Sequence, residues 1–293
     1  FFCFAKRKYA RASSAEKTSP EKQPKAIKRG KHKFRKSTKN PKPASARSPP
    51  SGMLPPKQPN WRQPVTALLP QPDPDGLLEY SVVYTDRALN HMSQRYQGVM
   101  KDVSRLLKKV YNARSAVIVP GSGTFGMEAV ARQFATDKKV LVIRNGWFSF
   151  RWTQIFEMGR IPPESIVLKA RQVGSGAQAP FAPPPIDEVV AAIRQHRPEV
   201  VFAPHVETAS GMILPDSYIK AVGAAVREVD GLFVLDCVAS GTVWVDIAAN
   251  DVDVLISAPQ KGWSASPCCA LIALGERARA RIDATTSTSF ACD

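Results

Sequence analysis

From residue 116 onward, short aliphatic runs alternate with longer stretches whose apolar residues recur at helical spacing. The aliphatic runs are AVIVP, KVLVIR, SIVLKA, VVFAP, LFVLD, VDVLIS and CCALIAL; between them lie GMEAVARQFA, FRWTQIFEMG, IDEVVAAIRQH and DSYIKAVGAAVREV. A short apolar run bounded by turn residues predicts a buried strand, and apolar positions three and four apart predict a helix packed along one side. The resulting βαβα order predicts an α/β fold, a mainly parallel sheet with helices on both faces. Upstream, Met92, Tyr96, Val99, Val103, Leu106 and Val110 share one face of a helix predicted over residues 88–111. Residues 70–86, PQPDPDGLLEYSVVYTD, open on proline and turn residues and predict an extended lead-in.

In such a sheet a ligand sits outside the carboxyl ends of the strands, so chemistry is sought just after each aliphatic run. These junctions are PGSGTFGMEA after Val119, RNGWFSFRW after Ile143, PHVETASG after Ala203, DCVASGT after Leu235 and APQKGW after Ser257. The first sets glycines ahead of a helix, where unpaired N–H groups and the positive end of the helix dipole favour a phosphate. Gly121, Gly123 and Gly126 have G-x-G-x-x-G spacing, but the next strand ends in Arg144 and Asn145 rather than the acid a dinucleotide site needs. The unit therefore points to phosphate more firmly than to NAD, with a plain tight turn as the alternative. Asp236 and Lys261 follow buried runs, where an unpaired charge is costly. Either they form a structural ion pair, or both address one aromatic cofactor, the lysine as covalent carrier and the aspartate on a protonated pyridine nitrogen. A phosphate turn, an aspartate and a lysine in that order select pyridoxal phosphate over NAD.

Charge changes this picture only at the N-terminus. The chain has 293 residues and a formal net charge of +16; residues 1–64 hold 18 Lys and Arg against 2 Asp and Glu, and residues 65–293 hold 23 against 23. The basic segment is rich in Lys, Pro and Ser and poor in aliphatic side chains, so it is expected to be disordered. It is Lys-rich rather than Arg-rich and lacks the apolar core of a secretory signal, which argues against a presequence. Two readings remain, a non-native upstream extension with Met53 as a candidate start, and a nucleic-acid-binding tail. Residues 65–293 are long enough for one sizeable core. No run approaches the roughly 18 apolar residues of a membrane span. Cys3, Cys237, Cys268, Cys269 and Cys292 are odd in number and lack metal-ligand spacing, so a reduced, cytoplasmic compartment and no metal site are expected.

Together, PGSGTFGMEA, NGWFSFRW, HVETASGMILP, DCVASGTVWVD and ISAPQKGW resemble the motifs of the class V aminotransferases among the fold-type I pyridoxal-phosphate enzymes, in particular those of the alanine–glyoxylate and serine–pyruvate kind. The resemblance runs in order through residues 66–293. It implies a homodimeric transaminase that uses pyridoxal 5'-phosphate to exchange amino and keto groups between alanine or serine and glyoxylate or pyruvate. It further implies that Lys261 carries the cofactor and shuttles a proton, and that Asp236 keeps the pyridine nitrogen protonated. Ser122, Gly123 and Thr124 would cradle the phosphate with Gln260 nearby. Phe148 would stack on the ring, where relatives often carry Trp; Thr208 would bond the ring hydroxyl, and Val238 would pack on the opposite face. Glu207 and His205 are expected to stabilise a turn, Arg151 and Trp152 to anchor a helix start with the arginine bordering the site, and Cys268 and Cys269 to be buried small residues rather than sulfur-transfer groups.

The resemblance also implies a smaller C-terminal domain with an arginine for the substrate carboxylate, to which nothing before Asp293 corresponds. Two expectations follow. One is a transaminase represented by its cofactor-binding large domain, residues 65–293. The other is a truncated, inactive cofactor-binding fragment, or a binding protein that acts through the basic tail.

Overall fold

The computed structural model describes residue 91 and residues 93–293. The basic segment 1–64, the lead-in 70–86 and the expected helix start at 88–90 and Met92 lie outside the described residues. In chain order the elements are α1 (Gln94–Tyr111), β1 (Ser115–Pro120), α2 (Gly123–Phe134), β2 (Lys139–Arg144), α3 (Trp147–Gly159), β3 (Glu164–Lys169), the ribbon β4 (Arg171–Gln172) and β5 (Phe181–Ala182), and α4 (Ile186–His196). There follow β6 (Val200–Pro204), the hairpin β7 (Val206–Glu207) and β8 (Met212–Ile213), α5 (Asp216–Glu228), β9 (Leu232–Asp236), β10 (Val254–Ser257), β11 (Cys269–Leu274) and α6 (Glu276–Arg281).

Seven strands form the main sheet in the order β1-β11-β10-β9-β6-β2-β3. The pairs β10/β9, β9/β6, β6/β2 and β2/β3 are parallel, as the alternation of runs predicts, while β11 lies antiparallel to both β1 and β10. The pleat sends successive side chains to opposite faces, and both faces are covered. From β2, Leu141 and Ile143 join a core with Leu107 and Tyr111 of α1, Val189 and Ile193 of α4, and Ile219 and Val226 of α5. Val140 and Val142 join the opposite core, with Met127 and Phe134 of α2 and Trp152 and Phe156 of α3. Continuous apolar runs are what strands buried on both faces require. Among the described residues, no helix is long and apolar enough to cross a membrane.

The packed face of α1 differs from the expected one. Leu107 and Tyr111 are buried with Val103 and Val110 beside them, whereas Val99 and Leu106 are exposed. The helix is turned so that Tyr111 joins Trp244 and Trp263, with ring centroids 5.9 and 6.0 Å away. An aromatic side chain buries more area than a valine or leucine at the margin of the stripe, so it sets the rotation.

The topology places the ends of β1, β2, β6, β9 and β10, namely Pro120, Arg144, Pro204, Asp236 and Ser257, along one edge of the sheet. Because β11 runs the other way, its first residue, Cys269, pairs with Pro120 at that same edge. Helix α2 reaches the sheet through Gly126, where an added Cβ would overlap the Ala270 methyl. Gly126→Ala should therefore lower stability by about 1–3 kcal/mol in urea unfolding, although alanine alone improves a helix position by about 1 kcal/mol.

Candidate active site

One cavity of about 210 Å³ opens at this edge. All nine positions singled out from the sequence line it: Ser122, Gly123, Thr124, Phe148, Thr208, Asp236, Val238, Gln260 and Lys261. Met127, Arg151, Val206 and Ala239 complete the wall. Met127 sits one helical turn beyond Thr124, and Val206 enters from the β7/β8 hairpin. Both lie within the PGSGTFGMEA and PHVETASG junctions, but as apolar side chains they carry no signal of the chemistry sought there.

The β1–α2 turn supplies the anion-binding wall. Gly121 has a φ of 121°, which L side chains rarely adopt, and its N–H donates to the Cys268 carbonyl at 2.9 Å. Ser122 is the N-cap of α2 yet makes no side-chain capping bond, so its hydroxyl stands at the cavity wall with the first N–H groups of the helix. Thr124 accepts a hydrogen bond from Arg151 Nη1 at 3.0 Å.

The opposite wall is the start of α3, held from outside by Glu207. The Glu207 carboxylate accepts the N–H of Phe148 at 3.1 Å and of Ser149 at 2.8 Å, and the Ser149 hydroxyl at 2.7 Å. A carboxylate at the positive end of a helix is favourable on both counts. It fixes the backbone of Phe148, whose ring lies 5.4 Å from the Arg151 guanidinium. Arg151 and Trp152 do not anchor the helix start as expected: both lie in the second turn, where Arg151 faces the cavity and Trp152 is fully buried against Phe202. Capping falls to Glu207, a role with no local sequence signal because the contact spans 58 residues. His205 is buried, its Nδ1 2.7 Å from the Ser240 hydroxyl, and burial holds it below the usual imidazole range. It stabilises the strand end without reaching the cavity lining.

Asp236 ends the central strand β9. One carboxylate oxygen accepts the Val238 N–H at 2.9 Å. Burial is the main cause that pushes the carboxyl up to about 6, with the Glu207 charge adding to it, and the Val238 N–H and Arg151 oppose the shift. Among the described residues no ion pair joins Asp236 to Lys261, so the structural pair considered above is not the arrangement found.

Strand β10 stops at Ser257, the residue after which the APQKGW junction begins, and Lys261 stands in the turn that follows. That turn is closed by Lys261 N–H to the Ala258 carbonyl at 3.3 Å and Ala265 N–H to the Pro259 carbonyl at 2.9 Å. Gly262 lies so close to the Gly241 backbone that any side chain would fall on its carbonyl oxygen. Trp263 packs on Trp244 with centroids 4.7 Å apart. The KGW sequence is thus a lysine followed by the two residues that pin its turn to the 241–244 loop. Cys269 is buried as expected, but Cys268 is exposed, because it lies in the turn before β11 rather than within the strand.

No family model matches the chain. Alanine–glyoxylate aminotransferase of Rattus norvegicus is 26% identical over 200 residues, covering 67% of this chain and 45% of the relative. L-aspartate–glyoxylate aminotransferase of Paracoccus denitrificans is 25% identical over 198 residues, covering 67% and 48%. The solved structure of ureidoglycine–glyoxylate aminotransferase from Bacillus subtilis superposes with a TM-score of 0.60 at 26% identity, covering 70% of this chain and 51% of that one. The chain is similar in sequence and fold to class V aminotransferases. These are fold-type I, pyridoxal-phosphate-dependent enzymes. The chain spans about half the length of the curated relatives it matches.

Glu207→Ala should unseat the start of α3. The expected loss is about 2–3 kcal/mol in denaturant unfolding, for hydrogen bonds to a charged group, with the core around Trp152 still formed by near-ultraviolet circular dichroism.

Proposed function

We propose that residues 65–293 are the cofactor-binding large domain of a pyridoxal-phosphate-dependent transaminase. The observation that carries this reading is the convergence of a buried, proton-hungry Asp236, an aromatic Phe148, a helix N-terminus and Lys261 on one cavity. The donor set fits the group: an anion wall for a phosphate, a carboxylate for a pyridinium N–H, an apolar pair for a ring, and an amine. Pyridoxal phosphate supplies an electron sink for carbanion character at the substrate Cα.

The chain's own residues do the rest. Ser122, Gly123 and Thr124 bind the phosphate through the α2 N-terminus, with Gln260 beside them. Phe148 and Val238 would supply apolar contacts for the ring, and Thr208 a hydrogen-bonding group for its hydroxyl. Asp236 would keep the proton on the ring nitrogen, a contact that would relieve its own buried charge. Lys261 would hold the group through its amine and would be the base that moves a proton at the substrate Cα. As substrates we propose alanine or serine as donor and glyoxylate or pyruvate as acceptor. In support, the names of relatives 24–30% identical to this chain carry alanine, glyoxylate and pyruvate.

Two measurements test the reading. Incubation with pyridoxal phosphate, borohydride reduction and peptide mapping should place the pyridoxyl group on Lys261; a label on another lysine, or none on folded protein, contradicts it. Asp236→Asn separates function from structure. The folded carboxyl titrates above its unfolded value, so the stability it contributes is full below about pH 4 and lost as pH rises through about 6. In the ligand-free protein at pH 8, Asp236→Asn should therefore raise stability, by up to about 3 kcal/mol, the free-energy equivalent of displacing a titration by about two pH units. In the loaded protein the same variant should slow proton transfer at Cα by orders of magnitude.

A further inference from the structure

Beside the α2 turn lies a pair of thiols that the proposed chemistry does not use. Cys268 Sγ stands 3.9 Å from Cys269 Sγ, the first exposed and the second buried. Neighbouring side chains in an extended strand point to opposite faces. Here a tight turn, with the Cys268 N–H donating to the Ser266 carbonyl at 2.9 Å, precedes β11 and turns both sulfurs to one side.

This spacing suits a shared ligand better than a direct bond. Adjacent Cα atoms are about 3.8 Å apart, while disulfides span about 4.4–6.8 Å between Cα atoms. A trivalent, pyramidal soft centre with bonds of about 2.3 Å to two sulfurs, roughly at a right angle, sets them about 3.3 Å apart, a short closure from the 3.9 Å found. Among the described residues no three His, Cys, Asp or Glu side chains converge, so the protein supplies two ligands and not a closed cage. Burial, with the neighbouring thiol adding to it, pushes Cys269 up to about 11. Cys269 is therefore protonated at neutral pH, which disfavours divalent metals, since these need thiolates.

We propose that Cys268 and Cys269 form a vicinal dithiol site for one trivalent thiophilic centre of the monosubstituted arsenical class. With phenylarsine oxide two S–As bonds form, the As=O bond breaks, and both thiol protons leave with the oxygen as one water. No atom changes oxidation state, so no oxidant is needed. The site is tied to the cavity: the Cys268 carbonyl accepts the Gly121 N–H and Cys269 pairs with Pro120, so closing the S–As–S ring pulls on the turn before Ser122. The effect on the cavity rests on the reading of that turn as a phosphate cradle.

The test treats the full chain with one equivalent of phenylarsine oxide and follows intact mass and free-thiol count. One adduct and the loss of two thiols are expected. Both should vanish in Cys268→Ser and in Cys269→Ser and persist in Cys3→Ser and Cys292→Ser. Persistence in either of the first two variants, or a wild type whose Cys268 reacts with a monothiol reagent but takes up no arsenical, overturns the site. Pyridoxal phosphate affinity, measured before and after, should fall at least tenfold and recover with 2,3-dimercaptopropanol; an adduct with unchanged affinity overturns the coupling. Absence of cofactor binding before treatment counts against the proposed function alone, because the thiol stoichiometry judges the dithiol site independently.

Discussion

A carboxylate carried to the end of a buried central strand must be compensated, and at Asp236 the protein does so only in part. Strand β9 lies between β6 and β10, so its end is walled by neighbours on both sides. One backbone N–H and the field of Arg151 favour the charge, while burial and Glu207 oppose it, leaving the group near 6. Replacing it with an apolar residue would remove the penalty. Retaining it makes sense where a cationic donor enters the cavity, and the protonated nitrogen of a pyridine ring is such a donor. In the ligand-free protein the strand end is thus a standing cost that such a donor would relieve.

The other cavity residues are held from behind, so their ligand-facing groups stay free. Glu207 caps α3 from outside the cavity and sets Phe148. Gly262 and Trp263 lock the Lys261 turn against the 241–244 loop and Tyr111. The Cys268 carbonyl holds Gly121, so Ser122 need not cap its own helix to keep its place. Phe148, Lys261 and the turn before Ser122 are thus positioned by contacts outside the cavity, which favours binding of a rigid ligand with little reorganisation.

The parts legible in the sequence are those governed by local pattern. Strands buried on both faces appear as unbroken apolar runs, and residues just after them fall at one edge, so the nine site positions followed from strand ends and motif resemblance. What escaped depends on packing between distant segments. CCALIAL has the same pattern in either direction; the clue to its antiparallel course was the helix-free link from Ala258 to Cys268, too plain for a parallel crossover. The rotation of α1 was set by Tyr111 meeting two tryptophans more than a hundred residues away in sequence. Exposure of Cys268 followed from a strand boundary shifted by one residue. The cap on α3 came from Glu207, which nothing near Trp147 announces.

The proposed role of Asp236 is to hold a buried charge in readiness for a cationic ring. The most direct measurement is a carbon-13 NMR titration of the Asp236 side-chain carboxyl, assigned through Asp236→Asn, with and without pyridoxal phosphate. A midpoint near pH 6 is expected in the free protein, with a fall well below that on loading, because the pyridinium proton favours the ionised form. An ordinary midpoint near 3.8 in the free protein, or one that does not move when the cofactor binds, would contradict it.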